Sequence, residues 1–298
     1  QARSGKKTSA CAFPRSSSMS VASIVPLEDG WEKIKNEGIK VLEEFLDTGH
    51  IRKTVPQNQD PAKPRNVFSK ANYAELYTTV YNMCTQRTPN NWSEQLYRRY
   101  GEAMSDYVQR QVLPALKDKT DIPLMKELLH RWSNHKIYVK WMDRFFTYLD
   151  RYYVKLQSVE PLHNRGYSIF NTQVFQIVIK DTRAALLKVI NQERQGEHID
   201  QDLVKGVIEI YIDLGLNNTN LYNTEFEESF LPATTSYFVR QASGWLSEDS
   251  FPEYLRKAEA ALHAEEQRCH NYLSRTTLPK LKNVVIQAVL AQPQAQLL

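Results

Sequence analysis

Glycine is scarce in this chain, at 10 of 298 residues, about half the usual share of about 7%. Nucleotide-binding α/β folds and β-rich folds need glycine at phosphate loops and turns, so its scarcity argues against both. Cysteine is nearly absent: Cys11, Cys84 and Cys269 are far apart and odd in number, which gives neither metal-ligand spacing nor a disulfide framework. A reducing compartment fits that usage. No apolar run reaches the roughly 18 residues a membrane-spanning helix needs. The net charge is only +4, with acids and bases alternating along the chain. A nucleic-acid binder is expected to gather its positive charge on one face, so neither nucleic acid nor membrane is an expected partner. Catalytic signatures are missing too: no Gly-x-x-x-x-Gly-Lys loop, no His-Glu-x-x-His, no Gly-x-Ser-x-Gly and no aspartate cluster. The sequence is therefore read as carrying no catalytic residues, no metal site and no cofactor. His130 and His135 lack ligand spacing with any carboxylate pair. Asp143 and Arg144 read as a solvated face. Glu265, Glu266 and Arg268 read as helix-surface ion pairs worth a few tenths of a kcal/mol each.

What fills the chain is long helical periodicity rich in Leu, Ala, Glu, Lys, Gln and Arg, with 42% hydrophobic residues, and the fold class expected is all-α. Trp31, Ile34, Gly38, Val41, Leu42 and Phe45 form the first stripe. A Pro-bearing segment without period runs from Arg52 to Arg65 and is expected to be an exposed loop. Asn91-x-x-Glu94 and Ser250-x-x-Glu253 read as capping boxes, and Gly215 stands where a C-cap glycine belongs. Pro114 is expected to kink the end of its helix. One helix is expected to start at Pro123, and a separate one to carry Tyr138, Trp141, Met142, Phe145, Leu149, Tyr152 and Tyr153. Pro161, His163 and Gly166 then punctuate the chain. The division expected is a leader or non-native segment over 1–27, a first helical unit over 28–158, and a second over 159–298 running into a truncated third. Met19 is expected to be the natural start. The helices are expected to stack into an elongated rod of roughly five-helix bundles.

The most informative stretch is Ala71 to Gln86. Tyr73, Leu76, Tyr77, Val80, Tyr81 and Cys84 fall on one helical stripe. Leu76 and Val80 occupy one shoulder; Tyr73, Tyr77, Tyr81 and the small Ala74 occupy the other. The aliphatic shoulder is expected to bury, and Cys84 with it as a small hydrophobe. The tyrosine shoulder could meet a partner, because tyrosine buries a large area yet keeps a hydroxyl that tolerates water. On spacing alone, a wide core stripe with tyrosines at its margin is the favoured alternative. The helix containing Trp141 raises the same question, since Tyr138, Trp141, Met142, Phe145, Tyr148 and Leu149 span more than one packing contact needs.

Tyr73-Ala-Glu-Leu-Tyr-Thr-Thr-Val-Tyr-Asn-Met-Cys-Thr-Gln86 resembles the second helix of the first repeat of the cullins, most of all the cullin-1 type. Leu128 to Tyr153 resembles the fifth helix of that repeat and its lead-in. Glu193 to Asp200 and Tyr254 to Arg268 resemble segments of the second repeat. The likeness runs from about Asp29 to the end. It implies a non-catalytic scaffold of an SCF-type RING ubiquitin ligase, serving ubiquitin-dependent degradation in cytoplasm and nucleus. In that family an adaptor carrying an F-box receptor docks on the second and fifth helices. The matching positions are Tyr73, Ala74, Tyr77 and Tyr148, to which stripe geometry adds Trp141 and Phe145. The RING protein is implied only through a carboxy-terminal domain that is expected to lie outside this stretch of sequence. Animal cullin-1 members usually have methionine where Ala74 stands. Other helical rods, such as a tethering-complex subunit or the cullin-like subunit of the mitotic ubiquitin ligase, and an all-α enzyme remain alternatives.

Overall fold

The computed structural model describes residues 24–48, 67–87, 89–216 and 218–291. Residues 1–23 of the expected leader, with the natural start at Met19, and the whole proline-bearing loop from Arg52 to Arg65 lie outside them; Leu27, the last residue of the expected leader, is the first of α1. The described residues form nine helices and no strand: α1 (27–48), α2 (Lys70–Thr85), α3 (93–116), α4 (121–157), α5 (162–194), α6 (Gln201–Leu214), α7 (220–248), α8 (Phe251–Tyr272) and α9 (278–291). No helix among these residues is long and apolar enough to cross a membrane.

The expected period is realised as an all-α rod of stacked helices. α1 and α2 make their main contacts with each other and with α4. α3 and α5 pack on α4, and α6 crosses it. α8 and α9 pack on α6 and α7. Each layer thus rests mostly on its neighbours, as in other helical solenoids. The first stripe behaves as read: Ile34 and Leu42 are fully buried, and Trp31, Val41 and Phe45 pack partly buried against the core.

α4 corrects one expectation. The helix that starts at Pro123 does not end before Tyr138; it continues through residue 157 with one irregular residue at Phe146. At 1.5 Å per residue it is about 55 Å long. The polar run Ser133-Asn134-His135 contains no Gly or Pro and is no break. Asn134 and His135 are buried. The Asn134 amide donates to Leu46 O at 3.0 Å, tying α4 to α1, and His135 Nε2 donates to Gly166 O at 2.9 Å, tying it to α5. A Cβ on Gly166 would stand 2.8 Å from Val139 Cγ2, so only glycine lets α5 approach α4 this closely.

The helix ends also differ in detail from the motifs. α3 begins at Ser93, and Asn91 acts before it: its Oδ1 accepts from Ser93 N at 3.1 Å and its Nδ2 donates to Cys84 O at 2.6 Å. Asn91 therefore clamps the end of α2 to the start of α3 and is not half of a capping box. Ser250 does occupy the N-cap of α8, but its side chain makes no capping bond. Gly215 follows α6 with an ordinary φ of −70°, and the left-handed residue is Leu216, φ 49°. Pro114 follows the π turn Val108–Val112, whose wider winding accommodates a ring that would clash with the carbonyl four residues back. Between the two expected units the chain leaves α4 at the left-handed Ser158 and enters α5 after Pro161. The buried core runs on across this point.

Candidate partner-binding face

α2 is started by Ser69, whose Oγ accepts from Asn72 N at 3.1 Å. Its inner side is set by Leu76, Val80, Met83 and Cys84, all buried, which fixes its rotation against α1 and α4. That rotation leaves the tyrosine shoulder outside. Tyr73 and Tyr77 are half-buried, Ala74 is exposed and Tyr81 is 42% exposed. From α4 come Trp141 and Tyr148, both half-buried, and Tyr152, which is 59% exposed.

The rings form one connected surface. Tyr73 and Tyr77 lie 6.4 Å apart between centroids, and Tyr77 and Tyr81 lie 6.5 Å apart. Tyr81 stands edge-on to Tyr148 at 4.9 Å, and Tyr148 leans on Tyr152 at 4.4 Å. At the other end, Tyr73 meets Trp141 edge-on at 6.5 Å. The Arg144 guanidinium caps that end, 5.2 Å from the Tyr73 ring and 4.6 Å from the Trp141 ring. Mutual support of this kind holds the rings in place without burying them. The hydroxyls of Tyr73, Tyr77, Tyr81, Tyr148 and Tyr152 make no hydrogen bond to the described residues. Desolvation, with Tyr81 and Tyr152 adding to it, raises the Tyr148 hydroxyl pKa, so this phenol stays neutral and can both donate and accept.

Of the six residues read as partner-binding, five reach the surface: Tyr73, Ala74, Tyr77, Trp141 and Tyr148. Phe145 does not. It is fully buried, with Phe68 edge-on to it at 5.0 Å, and forms the floor under Tyr73 and Trp141. The reading is corrected there because the α4 stripe is wide enough to have an inner and an outer edge, and Phe68 covers the inner one. Sequence reasoning placed Tyr81 on the tyrosine shoulder without counting it among the six, and passed over Tyr152 and Arg144 as contact residues. Tyr152 was legible as the residue four after Tyr148, and Arg144 as the residue three after Trp141. No group of three metal-ligating side chains exists among the described residues.

A family model described as the cullin alpha solenoid domain matches residues 53–298. Cullin-1 of Oryza sativa subsp. japonica is 39% identical over 274 residues, which is 92% of this chain and 35% of that protein. Cullin-2 of Arabidopsis thaliana is 38% identical over 272 residues, covering 91% and 35%. Putative cullin-like protein 1 of the same plant is 37% identical over 275 residues, covering 92% and 36%. The chain thus spans roughly a third of the length of these relatives. With the helical rod and a match over most of its length, the chain belongs to the cullin family.

Proposed function

We propose that this chain is the adaptor-binding part of a cullin-1-type scaffold in an SCF-type RING ubiquitin ligase of cytoplasm and nucleus. The aromatic face of α2 and α4 docks an adaptor that carries an F-box substrate receptor. Cullins as a family are generally non-catalytic scaffolds of ubiquitin ligase complexes. The observation that carries the finer reading is the exposed tyrosine surface itself. Five rings whose hydroxyls bond to none of the described residues lie on the two helices that the family resemblance implicates. Solvated surfaces have no need of so many large aromatic side chains, whereas interface centres are enriched in them. The name of the rice relative, cullin-1, supports the cullin-1 type.

The function is then geometric. The RING protein engages a carboxy-terminal domain of the full-length scaffold, and the rod fixes its distance from the adaptor. Substrate is held at high effective concentration beside the transferred ubiquitin. Ala74 removes an apolar knob at the edge of the face, so more of the contact falls to Tyr77 and Tyr81.

Titration calorimetry with a purified F-box adaptor tests this reading. The wild-type chain binds. Changing Tyr73 and Tyr77 together to Ala weakens binding by about 2 kcal/mol or more per ring, with the thermal melt nearly unchanged. No binding by the wild-type chain, or equal binding by the double variant, refutes it.

A further inference from the structure

The outer side of the same two helices is positively charged. Lys70 lies three residues before Tyr73 on α2. On α4, Lys140 precedes Trp141, Arg144 caps the Tyr73 and Trp141 rings, Arg151 lies three residues after Tyr148, and Lys155 lies three after Tyr152. All five are exposed. None has a carboxylate partner among the described residues. The acids of these stretches are engaged elsewhere: Glu75 pairs with Lys33 on α1, Asp143 accepts from Tyr100 and His163, and Asp150 accepts from Leu162 N at 2.9 Å. Five cations around one aromatic centre exceed the +4 of the whole chain. The charge alternation read from the sequence therefore does not survive folding at this place.

Resting on the docking reading above, we infer that this face is built for a partner with an acidic rim around an apolar centre, and that Lys140, Arg151 and Lys155 steer its approach. Carboxylates on the partner complement the cations, and its apolar centre covers the rings. Rim charges of this kind act on the association rate and its salt dependence more than on dissociation. A single-stranded nucleic acid also combines negative charge with ring contacts, but it needs open ring faces on which bases stack. Here Tyr81 is turned edge-on into Tyr148 at 83°, and Tyr148 is covered by Tyr152 at 4.4 Å. The rings are committed to one another, which favours a folded protein surface.

The test compares three forms of the chain: wild type, Lys140→Gln/Arg151→Gln/Lys155→Gln, and a control, Lys126→Gln/Lys180→Gln/Lys205→Gln. The control loses the same charge from exposed positions elsewhere. Arg144 is left in place because it packs on the rings. Association and dissociation with a purified F-box adaptor are followed by stopped flow from low to physiological salt. The rim variant is expected to associate about tenfold more slowly at low salt, with a flatter salt dependence and a dissociation rate within about threefold of wild type. The control is expected to match wild type. If the rim variant also matches wild type, or the control falls equally, the steering inference is overturned while docking stands. If the wild-type chain does not bind the adaptor, docking fails and the inference fails with it. A fluorescent single-stranded oligothymidine that binds wild type at physiological salt and loses the rim variant would assign the face to nucleic acid and overturn the inference.

Discussion

His135 carries a prediction about acid stability that can be worked from its surroundings. The ring is fully buried in α4, stacked 5.8 Å from Trp132 and tilted against Phe170 at 4.9 Å. Nε2 donates to Gly166 O, and Nδ1 has no hydrogen-bond partner among the described residues. Burial disfavours the charged ring and lowers its pKa from 6.5 to about 4, against a smaller opposing effect of the Gly166 bond. The folded protein therefore refuses a proton that the unfolded chain accepts below about pH 6.5. Stability from this group is complete above that pH and is lost as pH falls towards 4. Integrating the difference in bound protons gives about 2 kcal/mol lost between pH 7 and pH 5, approaching a limit of about 3 kcal/mol. For a chain of 298 residues that is roughly 3 °C in melting temperature at pH 5. His163 moves the other way: its hydrogen bond to Asp143, opposed by desolvation, raises its pKa. Its contribution is unchanged when only His135 is altered. The assay is thermal melting at pH 7 and pH 5 for wild type and His135→Gln, which keeps a donor towards Gly166. The variant is expected to be less stable at pH 7 but to lose about 2 kcal/mol less on acidification. Equal acid sensitivity in the two proteins would refute the buried neutral histidine.

Two further outcomes follow from the packing. Glu265→Ala should cost about 3–5 kcal/mol, because it strands Arg194, whose side chain is 2% exposed and whose partner Glu265 is 1% exposed; urea unfolding measures it, and a loss under 1 kcal/mol would place the pair in solvent. Leu76→Ala should cost about 2–5 kcal/mol whereas Tyr81→Ala leaves the melt nearly unchanged, since one is 1% and the other 42% exposed; the reverse order in thermal melts would mean that α2 is rotated the other way.

The helices were legible because each has an apolar stripe with a helical period, and scarce glycine left no competing fold. What stayed hidden depends on contacts between residues far apart in sequence. Glu265 and Arg268 share an α8 face and look solvated there. The Arg194 guanidinium arrives from α5 to hold Glu265 at 2.8 Å and Thr234 at 2.8 Å, while Arg268 bonds Glu193 at 2.8 Å. No local pattern announces such a network, and the reading of surface ion pairs there was wrong. The α4 break was misread for a related reason: Asn134 and His135 are polar, but the carbonyls of Leu46 and Gly166 satisfy them inside the core. On the candidate face, helical phase separated Tyr77 from Leu76 correctly. It could not separate Phe145 from Tyr148, because Phe68, which buries the first, precedes α2 in the chain.

The most direct test of the docking face is positional. A photo-crosslinking benzophenone side chain is placed singly at Ala74, at Tyr152 and at Ile177, the last an exposed α5 residue, 59% accessible, outside the tyrosine surface. Each protein is irradiated with a purified F-box adaptor. Adaptor cross-links from positions 74 and 152 but not from 177 are the predicted result. Cross-links from 177 alone, or from none of the three while the adaptor still co-purifies with the chain, would contradict the assignment of the α2 and α4 aromatic face as the adaptor site.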